Sequence, residues 1–198
     1  TDALSAENIP IEHIDFGGGL GIQYQDESPI DQEDFVSMLL EIMGGREQEI
    51  LVEPGRSIVG NSGVLLTTIE YLKHGSNKNF IVVDAAMNDL ARPSLYSAYH
   101  QIDNIDFENS DPERLYDIVG PICETGDFLG KDRNLSVREG DVLAIHSVGA
   151  YGMTMSSNYN TRPRAPELLI DEDHAYVIRE RETVEELFAN ERTIPSLE

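Results

Sequence analysis

The chain has 198 residues, with 37 acidic against 14 basic side chains, a formal charge of −23. So acidic a surface repels phosphodiester backbones and argues against general nucleic-acid binding. No run of about 18 apolar residues is present to span a membrane, and the first ten residues have neither the basic start nor the apolar core of a signal peptide. The single cysteine, Cys123, has no internal disulfide partner, which fits a reducing cytoplasm.

Residues 11–16 read as a buried strand that runs into the glycine loop Gly17-Gly18-Gly19-Leu20-Gly21. A polar connection with Ser28-Pro29 follows. Phe35, Val36, Leu39, Leu40 and Met43 recur at helical spacing, with Asp31 or Gln32 as the opening residue and Gly44-Gly45 as the stop. Residues 50–52 form the next strand, ending at Glu53-Pro54-Gly55-Arg56. Strand, loop, helix and strand make one βαβ unit of a parallel sheet. A single such unit cannot cover both faces of a parallel sheet, so further strands are expected upstream. The absence of an initiator Met at Thr1, and a strand almost at once, suggest a chain cut from a longer one.

The pattern changes near residue 60. Residues 64–72 and 80–84 are β-rich, with a turn at His74-Gly75-Ser76-Asn77. Residues 116–123, 141–147 and 175–179 are further strand candidates, separated by the turn-like Arg138-Glu139-Gly140-Asp141 and Asp171-Glu172-Asp173. A short helix is expected over 184–189, opened by the capping box Thr183-Val184-Glu185-Glu186. This reading divides the chain into an α/β part, residues 1–60, and a mostly β part, residues 61–198.

Two glycine-bearing loops at strand ends, 17–21 and 53–56, suggest a grip on a phosphorylated cofactor, because backbone N–H groups without side chains approach phosphate oxygens closely. Taken alone, Gly18 and Gly19 fit a tight strand-to-helix turn equally well. Glu53 is either a fixed negative charge beside that site or the ion-pair partner of Arg56. Arg92 and Tyr96, four residues apart, could hold a carboxylate, or Arg92 could be a surface residue paired with one of many acids. Cys123 and Glu124 close an apolar strand, where a lone cysteine is most often a small buried hydrophobe. Tyr151 lies in the glycine-flanked turn Gly149-Ala150-Tyr151-Gly152 and could be a packed core aromatic. His13 and His146 are read as strand residues. The five histidines have no metal-ligand spacing, and no metal is expected.

Five segments carry a resemblance in a fixed order. They are residues 13–21 (HIDFGGGLG), 53–56 (EPGR), 84–96 (DAAMNDLARPSLY), 120–127 (GPICETGD) and 149–152 (GAYG), with a further likeness at 179–183. The chain resembles the C-terminal half of the diaminopimelate decarboxylases, fold-type III pyridoxal-phosphate enzymes of lysine biosynthesis. The resemblance implies the last part of a TIM-type (β/α) barrel followed by a C-terminal β-barrel domain. It implies decarboxylation of meso-2,6-diaminopimelate to L-lysine. It places Gly18, Gly19, Gly55 and the Arg56 amide at the cofactor phosphate, Glu53 at the pyridine nitrogen and Tyr151 at the cofactor. It assigns Arg56, Arg92, Tyr96, Glu124 and Tyr151 to the substrate, with Cys123 near the reaction centre. Cys123 and Glu124 would serve the neighbouring subunit of a homodimer. The family's Schiff-base lysine matches none of Lys73, Lys78 and Lys131, which sit in or beside polar turns. Other readings are a related decarboxylase of ornithine, arginine or carboxynorspermidine, or a non-catalytic dimerising fragment.

Overall fold

In a computed structural model of the chain, residues 2–106 and 111–195 are described. The chain opens on a short helix, α1 (Asp2–Ala6), rather than entering a strand at once. Strand β1 (His13–Asp15) pairs in parallel with β2 (Glu49–Leu51), with Ile14 opposite Ile50. Between them runs α2 (Gln32–Met43). Asp31 caps it by accepting from the Glu33 N–H at 2.8 Å, and Gly44 ends it in the left-handed region at φ 58°. The expected βαβ unit is therefore present. Of the helix's apolar positions, Leu39 and Met43 are buried, whereas Val36 and Leu40 are exposed.

After a one-turn helix, α3 (Arg56–Val59), the chain builds a six-stranded mixed sheet. Its strands are β3 (Leu65–His74), β4 (Asn79–Val83), β5 (Ile102–Asn104), β6 (Arg114–Val119), β7 (Phe128–Leu135) and β8 (Val142–Ile145). They lie in the order β5-β8-β3-β4-β6-β7. Only the β4–β6 pair is parallel. The long strand β3 serves two neighbours. Its first half pairs with β8 and its second with β4, and a register shift between Ile69 and Tyr71 turns the corner. The sheet curls until its end strands meet: a Cβ on Gly130 of β7 would lie 2.8 Å from Ile102 Cδ1 of β5. The result is a nearly closed barrel.

The barrel is filled by Ile69, Ile81, Ile118, Leu129, Leu143 and Ile145, each at most 1% exposed. Burying a side chain of this kind contributes about 1.5–3 kcal/mol. Leu90 caps the same cluster from the loop before α4 (Arg92–Tyr96). Beyond the barrel, β9 (Glu167–Asp171) and β10 (His174–Arg179) form a separate antiparallel hairpin. The final helix, α5 (Val184–Leu187), begins at Thr183 with both bonds of the capping box formed.

Two expected strands end early, and one lysine lies outside the expected turns. Strand β6 stops at Val119, so Cys123 and Glu124 lie in an exposed turn and not at a strand end. Asp127 is the reason: it accepts from the N–H of Ile122 and folds the chain back into β7. Strand β8 stops at Ile145, and the His146 ring sits 3.0 Å from Asp103. Lys131 lies inside β7, its ammonium 3.6 Å from the Phe128 ring centroid, not in a turn. Strands β5, β7 and β9 and helix α4 were not anticipated. Each is short, polar or interrupted; β5 takes its conformation from β8, far along the chain, while β7 and β9 pair with their sequence neighbours β6 and β10.

A glycine-on-glycine contact joins the α3 segment to the barrel. The Val148 N–H donates to Gly63 O at 3.0 Å, and the Gly149 N–H to Gly60 O at 3.0 Å. A Cβ on Gly149 would overlap the Val59 carbonyl oxygen. We therefore expect Gly149→Ala in the full-length protein to lower stability by about 2–4 kcal/mol. Gly21→Ala, whose Cβ would meet only Pro29 Cβ at 3.7 Å, should cost far less. Denaturant unfolding of both variants measures the contrast.

Candidate active site

The glycine loop and Glu53 are held together by the backbone. Asp15 accepts from the Gly17 N–H at 2.7 Å, and the Glu53 N–H donates to Gly17 O at 2.8 Å. Gly17 and Gly19 have φ of 70° and 95°, and a Cβ on Gly18 would lie 2.5 Å from Glu53 O. Only glycine suits this path. The N–H groups of Gly18, Gly19 and Arg56 donate to no described acceptor. The Glu53 carboxylate forms no ion pair with Arg56 or with any other described cation, so that alternative is set aside.

Tyr151 reaches the same place from the other side of the seam. Its backbone is left-handed, φ 61°, and a Cβ on Gly55 would lie 2.8 Å from its hydroxyl. It is 40% exposed and so is not a packed core aromatic. The Arg56 guanidinium lies 5.9 Å from the Tyr151 ring centroid and 5.9 Å from that of Tyr24. Arg92 flanks Tyr24 as well, at 5.0 Å. One tyrosine ring thus gathers two arginines that are 36 positions apart.

Arg92 is only 7% exposed and pairs with no described carboxylate, so it is not a surface arginine bound to a nearby acid. Its Nη1 donates to His100 Nε2 at 3.0 Å. His100 Nδ1 in turn lies 2.9 Å from the His146 carbonyl oxygen. A guanidinium cannot accept and a carbonyl cannot donate, so His100 is neutral, with its proton on Nδ1. Burial, then the charges of Arg92 and Arg133, push the ring's pKa from 6.5 down to about 4. An unpaired cation this deeply buried is costly unless an anion joins it. The Tyr24 hydroxyl is also buried, without a hydrogen-bond partner among the described residues. Tyr24 and His100 were missed in the sequence, where neither stands at a spacing that marks a site.

Cys123 and Glu124 make no hydrogen bond, ion pair or ring contact with that cluster. Their turn is braced by Asp127, 3% exposed, whose carboxylate accepts from the N–H groups of Met87 and Ile122 at 2.7 Å each. Ser94 on α4 donates to Gly126 O. The Tyr159 hydroxyl lies 3.4 Å from Glu124 Oε2. Helix α4 therefore belongs to both groups, with Arg92 in one, Ser94 in the other, and Tyr96 exposed at its end. A cavity of about 420 Å³ lies beside the glycine loop, lined by Gly17, Gly18, Phe35, Val52 and Ile58. Its walls are mostly apolar, with Gln32 and Ser57 as the polar side chains, and include none of the arginines or tyrosines above. The described residues hold no cluster suited to a metal ion, and no described helix is long and apolar enough to cross a membrane.

Barrel, glycine loop and arginine cluster coincide with one family. Residues 14–149 match the model of the pyridoxal-dependent decarboxylase C-terminal sheet domain, and the chain belongs to that family. It is 54% identical over 194 residues to the diaminopimelate decarboxylase of Pseudomonas aeruginosa, covering 98% of this chain and 46% of that protein. A crystal structure of AQ1208 from Aquifex aeolicus superposes with a TM-score of 0.90 at 43% identity, covering 96% of this chain and 47% of that one. Diaminopimelate decarboxylase from Helicobacter pylori, crystallised with L-lysine, gives 0.87 at 43% identity over the same shares. The chain spans about half the length of these relatives.

The His100 shift makes a prediction. Its folded pKa lies below the unfolded value, so the unfolded chain binds the extra proton first. Stability therefore falls as pH drops from about 6.5 towards about 4, by roughly 3 kcal/mol for this ring. Denaturant unfolding at stepped pH should show a shallower loss in His100→Gln than in the unsubstituted protein.

Proposed function

We propose that the protein containing this chain decarboxylates meso-2,6-diaminopimelate to L-lysine with pyridoxal 5'-phosphate, as the names of its relatives suggest. Arg92 carries the reading: a buried guanidinium without a described carboxylate, set beside Arg56 across one tyrosine ring. Two guanidiniums suit a substrate whose far end keeps a carboxylate. Ornithine and arginine lack one there.

The residues fit the cofactor. Three N–H groups in two strand-end loops, those of Gly18, Gly19 and Arg56, are free to donate to a phosphate, and Gly55 leaves room beside Tyr151. Pyridoxal phosphate supplies the sink for the electrons left when the Cα–carboxylate bond breaks. Glu53, which pairs with no described cation, would hold the proton on the pyridine nitrogen, because a nearby carboxylate favours the charged form. Arg56, Arg92 and Tyr96 would bind the distal carboxylate, and Tyr151 would contact cofactor and substrate. Glu124 would take the distal ammonium, and Cys123, on the same turn, would border the reacting carbon.

The separation of Cys123 and Glu124 from the arginine cluster supports a homodimer in which this turn completes the partner's site. In this reading residues 1–60 close a TIM-type barrel whose earlier strands lie elsewhere in the protein, and residues 61–198 form the β-domain. The protein would act in the cytoplasm, where its free thiol stays reduced.

In the full-length enzyme, Glu53→Gln should retain cofactor and lose about 10- to 150-fold in kcat, the worth of one charge-assisted hydrogen bond. Unchanged turnover would make Glu53 structural. Glu124→Ala should cost roughly 2–5 kcal/mol in substrate binding. Mixed with a variant lacking the cofactor lysine, it should regain activity through hybrid dimers. Proven subunit exchange with no recovered activity rules out the shared site.

A further inference from the structure

Resting on the reading of Arg92 as a carboxylate binder, we infer that His100 is the positioning residue that aims this guanidinium at the substrate. Arg92 has five N–H donors, and the neutral His100 ring engages one nitrogen of the fork without neutralising its charge. A carboxylate in that place would form an ion pair and compete with the ligand. A protonated imidazole would set donor against donor. The Nδ1–H tautomer of imidazole meets both demands, and the backbone selects it: His146 O accepts from Nδ1 at 2.9 Å, leaving the Nε2 lone pair for Arg92.

The remaining surroundings keep the ring neutral. It is wholly buried. The charged groups that act on it are Arg92 from α4 and Arg133 from β7, both cationic. Tyr24 meets it edge-on, with ring centroids 5.4 Å apart at 84°. Asp103, the carboxylate nearest in sequence, pairs instead with the His146 ring at 3.0 Å. Of the groups around His100, the His146 carbonyl favours protonation, and burial together with the two guanidiniums outweighs it. Tyr24 lies under the same guanidinium at 5.0 Å, so one nitrogen and one face of Arg92 are occupied by neutral groups. The rest of the fork is left for a carboxylate.

The test is L-lysine binding to the full-length holoenzyme by titration calorimetry, with steady-state kinetics on diaminopimelate. His100→Asn keeps a donor near the Nδ1 position and has no acceptor at Nε2. It should weaken lysine about 10-fold and raise KM similarly, with kcat within about threefold. His100→Gln, whose amide oxygen reaches the Nε2 position, should stay within about threefold of the unsubstituted enzyme. Because His100 acts through Arg92, the double variant Arg92→Ala/His100→Asn should bind no worse than Arg92→Ala alone. If Arg92→Ala weakens lysine but His100→Asn does not, or if the two losses add in full, His100 does not position Arg92. If Arg92→Ala leaves binding intact, the carboxylate reading itself fails. Should the asparagine variant not fold, 15N-histidine spectra of the unsubstituted enzyme decide. An Nδ1–H ring from pH 5.5 to 8 upholds the inference, and an Nε2–H or protonated ring overturns it.

Discussion

The backbone contact between Gly63 and Gly149 is the joint on which the site depends. No side chain separates the two strands of chain there, and two N–H···O bonds of 3.0 Å cross it. On one side the chain has just carried Glu53, Gly55 and Arg56 out of the parallel pair. On the other it goes directly on to Tyr151. Backbone contact defines distance more tightly than side-chain packing can, since no rotamer intervenes. The Tyr151 hydroxyl can therefore lie against Gly55, and the Arg56 guanidinium can stand between two tyrosine rings.

The treatment of its arginines separates the site from the remainder of the protein. Arg164 meets Glu182 at 2.8 Å, and hydrogen bonds from the Arg164 backbone, Asn158 and the Arg164 side chain hold that carboxyl at a pKa of about 2. Arg162 donates to Asn88 and to Asp84 O, with Asp89 at 3.9 Å, and ties the loop before α4 to the loop bearing Tyr159. Both are structural arginines. Arg92 is given a neutral histidine and an aromatic face instead, in a chain with 37 acidic residues to choose from. Withholding a carboxylate there leaves net positive charge in a buried place, which is what an anionic substrate group requires.

The turn carrying Cys123 and Glu124 follows a different rule. The Cys123 and Glu124 side chains are exposed, while the backbone of the turn is anchored by the buried Asp127 and by Ser94 of α4. A rigid turn with outward-facing functional groups suits a surface that completes a site across an interface. Helix α4 couples the two regions, since its five residues contribute Arg92 to one and Ser94 to the other.

Local chemistry alone determined several features of this protein. Asp31 and Gly44-Gly45 delimit α2, Thr183 and Glu186 open α5, and alternation after residue 60 marks a β-rich region. The glycine loops and the motifs around Arg92 and Cys123 were legible because each depends on residues adjacent in sequence. The tertiary structure decided where strand β5 lies, because its pairing partner β8 is distant in the chain. It also decided that Tyr24 and His100 belong to the site. An ordinary tyrosine and an ordinary histidine become a guanidinium platform only when folding buries them together. Burial makes the histidine neutral, and a carbonyl from β8's end selects its tautomer. Spacing in the chain encodes neither.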